Sequence, residues 1–494
     1  MKKKVVIIGG GVAGLCAGVY AQKCGFEVTV LESHSIAGGV CTSWKRKGYL
    51  FEGGMHWLTG SGPKEPINAA WRHVGALDNS VEIHCAEPFM AYDHAGTPIR
   101  IYRDAEETEK HLLALSPEDA EEIKKLMKHV RKMKNISMPI TDLRGVKVTK
   151  KMRLPLSMMF SFLSSLHSMN VLSNTSCEQY TNRFTHEGVR NLIRSSTWNG
   201  VNILPLVFTM GTLARGDGGF PEGGSLPFVM RIVKTFEGVG GKILYSTKAD
   251  RVIVEGGKAV GVMAGGNRLA ADSVIIASDT MLADRLFDTP PKAAWLEEMR
   301  SASKPTMCTF ISLGINADLK KYPKNYVIRL ETQIKLADKI YEYLGINNYS
   351  ADPVYSPEGK TAATVTLDGD TYDFWEKAKK EGRYEEEKQR IAGEVIAAIT
   401  AHVPEADGEV EVCDVATPLT YERYCGSWKG SWMTEMVPGG KMDNYPATIK
   451  GLSGVYFAGH RMIPPGGLPG ALMSGRAAVQ HLCRDTNTLF VSEE

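Results

Sequence analysis

The chain opens with an uncharged run from Val5 to Ala21 that contains two different hydrophobic patterns. Its first residues, VVII, are β-branched, which favours a strand that is buried on both faces. After Gly14, the sequence LCAGVYAQKC has helical character and ends before Gly25, a residue suited to a helix C-cap. The next residues, FEVTVLE, predict a second strand that ends at Glu32. The pattern therefore predicts a strand, a helix and a strand in succession.

The same run also resembles an export signal or a membrane anchor, because the basic residues MKKK precede it. A membrane-spanning helix needs about 20 apolar residues, and this run is slightly shorter. Gly9, Gly10, Gly11 and Gly14 lie in the middle of it, and each would cost a helix about 1 kcal/mol relative to alanine. We therefore expect neither a signal peptide nor an anchor.

The glycines have the spacing Gly9-x-Gly11-x-x-Gly14 between the predicted strand and helix, which is the dinucleotide-binding fingerprint. Gly9 permits the tight turn, Gly11 lets the backbone approach a pyrophosphate, and Gly14 lets the helix pack against the strand. The anion would bind the free N–H groups at the helix N-terminus. Glu32 lies where a carboxylate is expected to bind ribose hydroxyls. The predicted site contains Gly9, Gly11, Val12, Ala13, Gly14, Glu32 and Ser33.

The composition narrows the class of protein further. A chain of 494 residues is too long for one core and predicts two large domains. Its 43% hydrophobic and 23% charged residues are typical of a soluble globular protein, and a net charge of +2 gives no reason to expect nucleic acid binding. Nine scattered cysteines without a CxxC pair predict reduced thiols in a cytoplasmic protein, with no disulfide framework and no metal site.

Three later segments add to the nucleotide signal. Gly38-Gly39 would let the backbone approach a ligand, although a surface turn is the alternative. Residues 218–266 predict a Pro-Gly turn, a helix, a strand and a hairpin. Residues 454–482 predict a short buried strand, VYFAG, then a PPGG turn and a helix with Pro469 in its first turn.

In this order the segments resemble the large family of FAD-dependent amine oxidases and carotenoid desaturases, and the resemblance covers essentially the whole chain. It implies FAD as the cofactor, with Gly38-Gly39 along the pyrophosphate and ribityl chain and the backbone near Val252 at the adenine. The last helix would point its N-terminus at the flavin pyrimidine, where it favours negative charge by roughly 0.3–1 kcal/mol. The resemblance therefore adds these residues to the predicted site: Gly38, Gly39, Val252, Gly459, Gly470 and Ala471.

The resemblance also implies the fold. We expect an α/β protein with a Rossmann-like FAD-binding domain of the glutathione-reductase type and a discontinuous second α+β domain that binds the substrate. The expected FAD-binding domain consists of residues 1–70, 218–290 and 445–494. The expected substrate domain consists of residues 71–217 and 291–444.

One branch of the family fits better than the others. Amine oxidases usually have Arg after the glycine pair, whereas this chain has Val40. The stretch KGYLFEGGMHWLTG, residues 47–60, is similar to phytoene desaturases, carotenoid isomerases and retinol saturases. The resemblance implies hydride transfer at flavin N5 and the desaturation, saturation or isomerisation of a hydrophobic polyene or isoprenoid. The direction of the reaction and the electron partner of the enzyme stay open.

Two other functions remain open at this point. One is a flavin amine oxidase that attacks C–N bonds. The other is a non-catalytic isoprenyl-binding protein like the Rab GDP-dissociation inhibitors, which share this fold. The intact glycine motifs and Glu32 disfavour the second, because a protein that holds no FAD does not need them.

Three residues are candidates for the chemistry. His56 is the candidate acid/base group, since histidine titrates near neutral pH, and a structural histidine is the alternative. Glu52 is either a general acid or a brace for the loop. His460 would contact the flavin edge or the substrate. No Ser-His-Asp order is visible, so hydrolytic chemistry is not supported.

The stretch from Lys147 to Leu172 has two interpretations. The bases Lys147, Lys150, Lys151 and Arg153 precede an apolar run with Met158, Met159, Phe160, Phe162 and Leu163. It predicts either an interfacial helix on the inner face of an anionic membrane, beside the entrance for an apolar substrate, or a buried helix of the substrate domain.

Overall fold

The computed structural model describes residues 2–152, 156–196, 200–440 and 443–493, and both strands and helices occur along these ranges. The strands, in chain order, are Lys4–Ile8 (β1), Glu27–Leu31 (β2), Ser43–Arg46 (β3), Tyr49–Glu52 (β4), Ile83–His84 (β5), Met90–His94 (β6), Thr97–Ile101 (β7), Phe220–Pro221 (β8), Lys242–Leu244 (β9), Ala249–Glu255 (β10), Lys258–Ala264 (β11), Asn267–Ala270 (β12), Ser273–Ile276 (β13), Pro305–Thr306 (β14), Cys308–Ile315 (β15), Asn325–Leu336 (β16), Lys339–Asn348 (β17), Thr361–Asp368 (β18), Val410–Ala416 (β19), Met433–Thr434 (β20) and Val455–Phe457 (β21).

The helices lie mostly between these strands. In chain order they are Val12–Lys23 (α1), Pro66–His73 (α2), Ala105–Leu115 (α3), Ala120–Lys134 (α4), Leu156–Ser173 (α5), Cys177–Thr181 (α6), Glu187–Ser195 (α7), Leu204–Ala214 (α8), Ser225–Gly238 (α9), Ala294–Ala302 (α10), Tyr372–Lys380 (α11), Tyr384–His402 (α12), Pro418–Cys425 (α13) and Gly467–Asp485 (α14).

A parallel sheet of five strands, in the order β21-β13-β1-β2-β9, carries the first predicted motif. Its central strand β1 is the VVII run, in which Ile7 pairs with Val30 on one side and Ile275 on the other. Apolar clusters cover both faces of the sheet, as the β-branched pattern predicts. The α/β fold class and the order strand, helix, strand are therefore confirmed.

A second, mixed sheet has seven strands in the order β19-β15-β18-β17-β16-β6-β7. Its strands come from residues 90–101, 308–368 and 410–416. Helices α11 and α12 pack on it around Trp375, and helices α3 to α8 pack around Tyr92. The strands of both sheets fall within the segments assigned to the two domains, although the domain boundaries themselves stay a prediction.

Helix α5 carries its apolar side chains on the outside. Leu156, Phe160 and Leu163 are 70%, 69% and 57% exposed, whereas Ser165 and Ser168 are buried against the protein. This is not the buried helix of the second interpretation, and Arg153 lies outside the described residues. In the described part of the chain, no helix has the length and the uninterrupted apolar character that crossing a bilayer requires.

Candidate functional site

A cavity of about 1840 Å³ runs between the two sheets. That volume exceeds the roughly 300–1,000 Å³ of an ordinary small-molecule pocket, so the cavity has room for a dinucleotide and a second molecule. One set of lining residues comes from the nucleotide motifs: Gly9, Gly11, Val12, Ala13, Glu32, Ser33, Gly38, Gly39, Gly459 and Ala471. Another set is largely apolar: Trp57, Phe89, Met90, Ile136, Met138, Met169, Leu204, Leu206 and Phe208.

The glycines after β1 have different physical roles. A Cβ atom on Gly14 would lie 2.0 Å from the carbonyl oxygen of Gly9, so this glycine lets α1 pack against the turn. A Cβ atom on Gly11 would enter the cavity and meet no atom of its own chain closer than 3.8 Å, the carbonyl oxygen of Gly38. The fold itself therefore does not require glycine at position 11, whereas a ligand lying against the backbone there does.

Glu32 stands at the end of β2 with its side chain against the glycine turn. Its Oε2 accepts a hydrogen bond from the N–H of Gly10 at 2.8 Å, and its Oε1 accepts one from the N–H of His34 at 2.7 Å. Oε1 also accepts a long hydrogen bond from the Ser33 hydroxyl, at 3.4 Å. Each carboxylate oxygen can accept two hydrogen bonds, so Oε2 retains an acceptor position for a ribose hydroxyl. Ser33 is exposed beside it.

The glycine pair is part of the same wall. Gly38 and Gly39 have φ angles of +132° and +60°, which disfavour side chains, so the pair is more than an arbitrary surface turn. The N–H of Gly38 donates to the carbonyl oxygen of Gly10 at 3.0 Å, which joins this pair to the first glycine turn. The Cys425 thiol donates to the carbonyl oxygen of Gly39 at 3.2 Å.

The predicted backbone contact at Val252 stays a prediction. Val252 is 2% exposed and packs in the apolar cluster beneath β10, away from the cavity wall. The wall is made instead by Thr247, Lys248, Ala249 and Asp250, where the chain enters that strand. The resemblance implies a contact through the backbone of this strand, which the position of the Val252 side chain does not test.

The N-terminus of α14 opens on the cavity through Gly466, Gly467 and Ala471. Gly470 lies behind this surface, because a Cβ atom there would come within 3.1 Å of the carbonyl oxygens of His460 and Ile463. The N–H of Gly459 donates to the Ser474 hydroxyl at 3.0 Å, which fixes the end of the VYFAG strand. Backbone N–H groups at a helix N-terminus favour an anion, so this turn suits an electron-rich ring.

His460 lines the cavity next to a buried ion pair that the sequence analysis missed. Burial, with Arg461 nearby, lowers the pKa of His460 to about 3, so the ring is neutral. Its Nδ1 atom is buried and has no hydrogen-bond partner within the described ranges. Nε of Arg461 donates to Asp279 at 3.0 Å, and this pair also holds the loop at Trp428. Asp279 and Arg461 follow buried strands β13 and β21, and that position was the available signal.

These observations test whether the chain fits FAD, and it does. Two helix N-termini, those of α1 and α14, open on one cavity, and Gly475 of α14 packs against the backbone of α1. The open space at Gly11, the free acceptor position on Oε2 of Glu32 and the left-handed glycine pair all belong to the same wall. Among the residues described, no group of three or more His, Cys, Asp or Glu is arranged to hold a metal ion.

His56 and Glu52 have different surroundings. His56 lines the cavity, with Asn347 close to its ring. Burial and the neighbouring Lys324 hold the pKa of His56 below its ordinary value, against the influence of Glu52. The imidazole is therefore neutral at neutral pH.

Glu52 is 2% exposed and does not line the cavity in the described part of the chain. It accepts hydrogen bonds from the N–H groups of Gly54 and Met55, the N–H of Ser225 and the hydroxyl of Tyr355, at 2.9–3.0 Å. Four hydrogen bonds hold this carboxylate in a fixed position. These contacts favour the loop brace over the general acid.

The fold and the cavity define a dinucleotide-binding flavoprotein with a large apolar compartment. The family description "Flavin containing amine oxidoreductase" matches residues 12–483, and the chain belongs to this family. It is an FAD-dependent oxidoreductase, as predicted, which sets aside the non-catalytic alternative.

Similar proteins come from two groups. Prolycopene isomerase of Daucus carota is 23% identical over 507 residues, which cover 97% of this chain and 80% of that protein. All-trans-retinol 13,14-reductase of Danio rerio is 22% identical over 488 residues, covering 86% of this chain and 76% of that protein. Cyclohexylamine oxidase from Brevibacterium oxydans has a TM-score of 0.60 at 15% identity, with 99% of this chain and 100% of that chain covered, and shows the fold alone.

We expect Glu32→Ala to weaken FAD binding without abolishing it. Loss of hydrogen bonds to a charged acceptor costs about 1.5–3 kcal/mol, or about 10- to 150-fold in affinity. Fluorescence titration of the deflavinated protein with FAD measures this change. Glu27→Ala, an exposed position on the same strand, is the matched control and should bind FAD like the parent. Equal affinities for both variants would contradict the ribose contact.

Proposed function

We propose that the protein desaturates, saturates or isomerises carbon–carbon bonds of a hydrophobic polyene, isoprenoid or related lipid. The observation that carries this proposal is the apolar set of residues that shares one cavity with the nucleotide motifs and His56. Met138, Leu206 and Phe208 offer a long hydrocarbon chain apolar contacts and few hydrogen-bond partners. Burying such a chain yields roughly 25 cal/mol per Å² of apolar surface.

The division of labour follows from the cavity wall. Bound FAD supplies hydride exchange at its N5 atom. The glycine turns and the two helix N-termini hold the cofactor, and the apolar residues orient the lipid and exclude water. His56, a neutral imidazole on the same wall, takes the proton from the neighbouring carbon in desaturation and returns it in saturation.

Product analysis under two conditions tests the proposed function against amine oxidation. With the flavin reduced, an enone or polyene lipid should gain two hydrogens or change its double-bond geometry. With the flavin oxidised and oxygen present, adding a primary amine should not raise peroxide production above the level measured without amine. Peroxide release that depends on an amine, together with unchanged lipid, would show that the enzyme attacks C–N bonds instead.

We also propose that α5 binds the surface of an anionic membrane. Its exposed Leu156, Phe160 and Leu163 have no covering element within the described residues, and the exposed Lys150 and Lys151 precede them. Apolar side chains beside bases suit the boundary of an anionic lipid layer. Met169, on the last turns of the same helix, lines the cavity, so the helix lies beside a route for an apolar substrate.

Reversing the charge at Lys150 and Lys151 should weaken binding to anionic vesicles by on the order of tenfold or more, because each base near the surface contributes about 1 kcal/mol. Vesicle sedimentation measures the binding, which should also weaken with added salt. The flavin content should stay unchanged. Lys379→Glu with Lys380→Glu, on the exposed side of α11, is the matched control and should bind like the parent. If both double variants bind vesicles like the parent, the membrane proposal is refuted.

A further inference from the structure

One carboxylate of the cavity wall has no assigned role. Asp368 is the last residue of β18, and it lines the cavity together with Thr366 two positions earlier. Alternate residues of a strand face the same side, so both side chains belong to one surface. The Asp368 carboxylate has no hydrogen bond and no ion pair with any residue of the described ranges; only its backbone carbonyl accepts one, from Tyr341.

The other acidic residues of this wall differ from Asp368. The Glu32 carboxylate accepts from a backbone N–H group. The Asp279 carboxylate accepts from a backbone N–H group and from Arg461. Asp414 accepts from Arg46 and Trp44, and Glu422 accepts from Tyr372. Asp250 is exposed to solvent. Asp368 therefore combines enclosure with an open hydrogen-bonding capacity, which a structural carboxylate rarely has.

The protonation of Asp368 suits proton exchange. Burial raises the pKa of this carboxyl to about 6. The titratable groups that face it are the thiol of Cys308 and the phenol of Tyr341, and burial raises the pKa of each well above its ordinary value. Both neighbours are neutral over the working range of pH, so they neither compete for the proton nor fix it.

Asp368 and His56 are connected through one packed layer. Asp368 pairs with Cys308 across the sheet, and Phe310 follows two residues later on the same face of β15. The ring of Phe310 lies 5.1 Å from that of Tyr421, whose hydroxyl donates to the carbonyl oxygen of Gly53 at 2.7 Å. Gly53 begins the loop that carries His56, so both groups line the same compartment.

We propose that Asp368 is a second proton-exchanging residue of this cavity and that, together with His56, it lets the enzyme shift or rotate a conjugated double bond without net oxidation. The inference rests on the proposed function, because it assigns a second residue to the same apolar substrate. Environments that shift the pKa values of two titratable groups in opposite directions provide an acid and a base in one site. Here the carboxyl is the acid and the neutral imidazole is the base.

The step balances in atoms and electrons. Asp368 gives its proton to one carbon of the conjugated chain, and the electron pair of the attacked double bond forms the new C–H bond. His56 takes a proton from another carbon, and the pair of that C–H bond becomes the shifted double bond. The substrate gains one proton and loses one, no electrons leave it, and water returns both side chains to their starting states.

Deuterium exchange tests the inference. The holoenzyme, with oxidised flavin and without oxygen, is incubated in D₂O with a conjugated polyene lipid, and mass spectrometry counts the deuterium that enters carbon. The parent should label the lipid, and Asp368→Asn should slow labelling by about 10²–10⁴-fold with full flavin content. Asp370→Asn, two residues later and exposed, should label at the parental rate. Labelling by Asp368→Asn at the parental rate would overturn the inference.

Two further results separate this inference from the proposed function. If the parent reoxidises reduced flavin with the lipid but incorporates no deuterium, the inference fails and the proposed function stands. If the lipid undergoes neither reaction, both fail.

A measurement without substrate examines Asp368 directly. The infrared spectrum of the holoenzyme should gain a protonated-carboxyl band as the pH falls through about 6, and Asp368→Asn should lack this band. A parental spectrum without such a band would also overturn the inference. So would the finding that Asp368 is needed for binding an amine but not for labelling the lipid.

Discussion

Gly11→Val should give a folded protein that contains no flavin. The valine side chain would enter the cavity from the N-cap of α1, where the FAD pyrophosphate must lie against the backbone. Because the nearest chain atom to a Cβ atom there is 3.8 Å away, the fold can accept the larger residue. The absorbance spectrum of the purified protein should lack the flavin bands, while its circular dichroism matches that of the deflavinated parent.

The matched control is Gly393→Val, because a Cβ atom on this glycine of α12 also meets nothing within 4 Å and lies far from the cavity lining. This variant should remain yellow with one FAD per chain. Gly14→Val, in contrast, should fail to fold, since its Cβ atom would lie 2.0 Å from the Gly9 carbonyl oxygen. Full flavin occupancy in Gly11→Val would show that the cofactor does not bind at this turn.

His56→Ala should slow turnover by about 10²–10⁴-fold while the protein keeps its flavin, because a positioned acid/base group contributes a factor of this size. Removing the ring should not disturb the glycine turns, which have no hydrogen bond to it among the described contacts. Rapid mixing under anaerobic conditions measures the step directly, through the rate at which substrate reoxidises the reduced flavin. A rate loss confined to that step would place the proton transfer there.

His56→Gln distinguishes chemistry from architecture. Glutamine keeps a hydrogen-bonding side chain but cannot cycle a proton, so we expect it to be nearly as slow as alanine. If glutamine restores the rate, His56 only positions the loop. If both variants lose FAD, it belongs to the cofactor pocket instead.

The pH dependence of desaturation has a definite sign. The base must be neutral to accept a proton, and burial lowers the pKa of His56 below 6.5. The rate should therefore rise as pH increases through this lowered pKa and stay level at neutral pH. Saturation needs the protonated ring and should show the opposite trend. A desaturation rate that keeps rising through pH 8 would exclude His56 as the base.

The nucleotide half of the site was predictable because its signals are local. The VVII run, the glycine spacing and Glu32 lie within one strand-helix-strand unit, where the backbone geometry follows from neighbours in sequence. The same holds for α14, whose Pro-Gly turn and helix occur where the resemblance expects them. Short-range patterns of this kind determine which backbone groups face the cavity.

The rest of the site depends on contacts between distant segments. Asp279 and Arg461 form their ion pair across 182 positions, and Asp368 reaches the cavity only because β18 pairs with β15. No periodicity in the sequence shows such pairings. The sequence also did not determine which side of α5 is buried, because serines and apolar residues occur all around the helix. Only its packing shows the buried side.

An anaerobic reaction of the reduced holoenzyme with an apolar polyene or enone lipid tests the proposed function most directly. The lipid should reoxidise the flavin in a saturable manner, and each product molecule should gain two hydrogens. The contradicting result has two parts. No such lipid reoxidises the reduced flavin, and a primary amine reduces the oxidised flavin of the same enzyme.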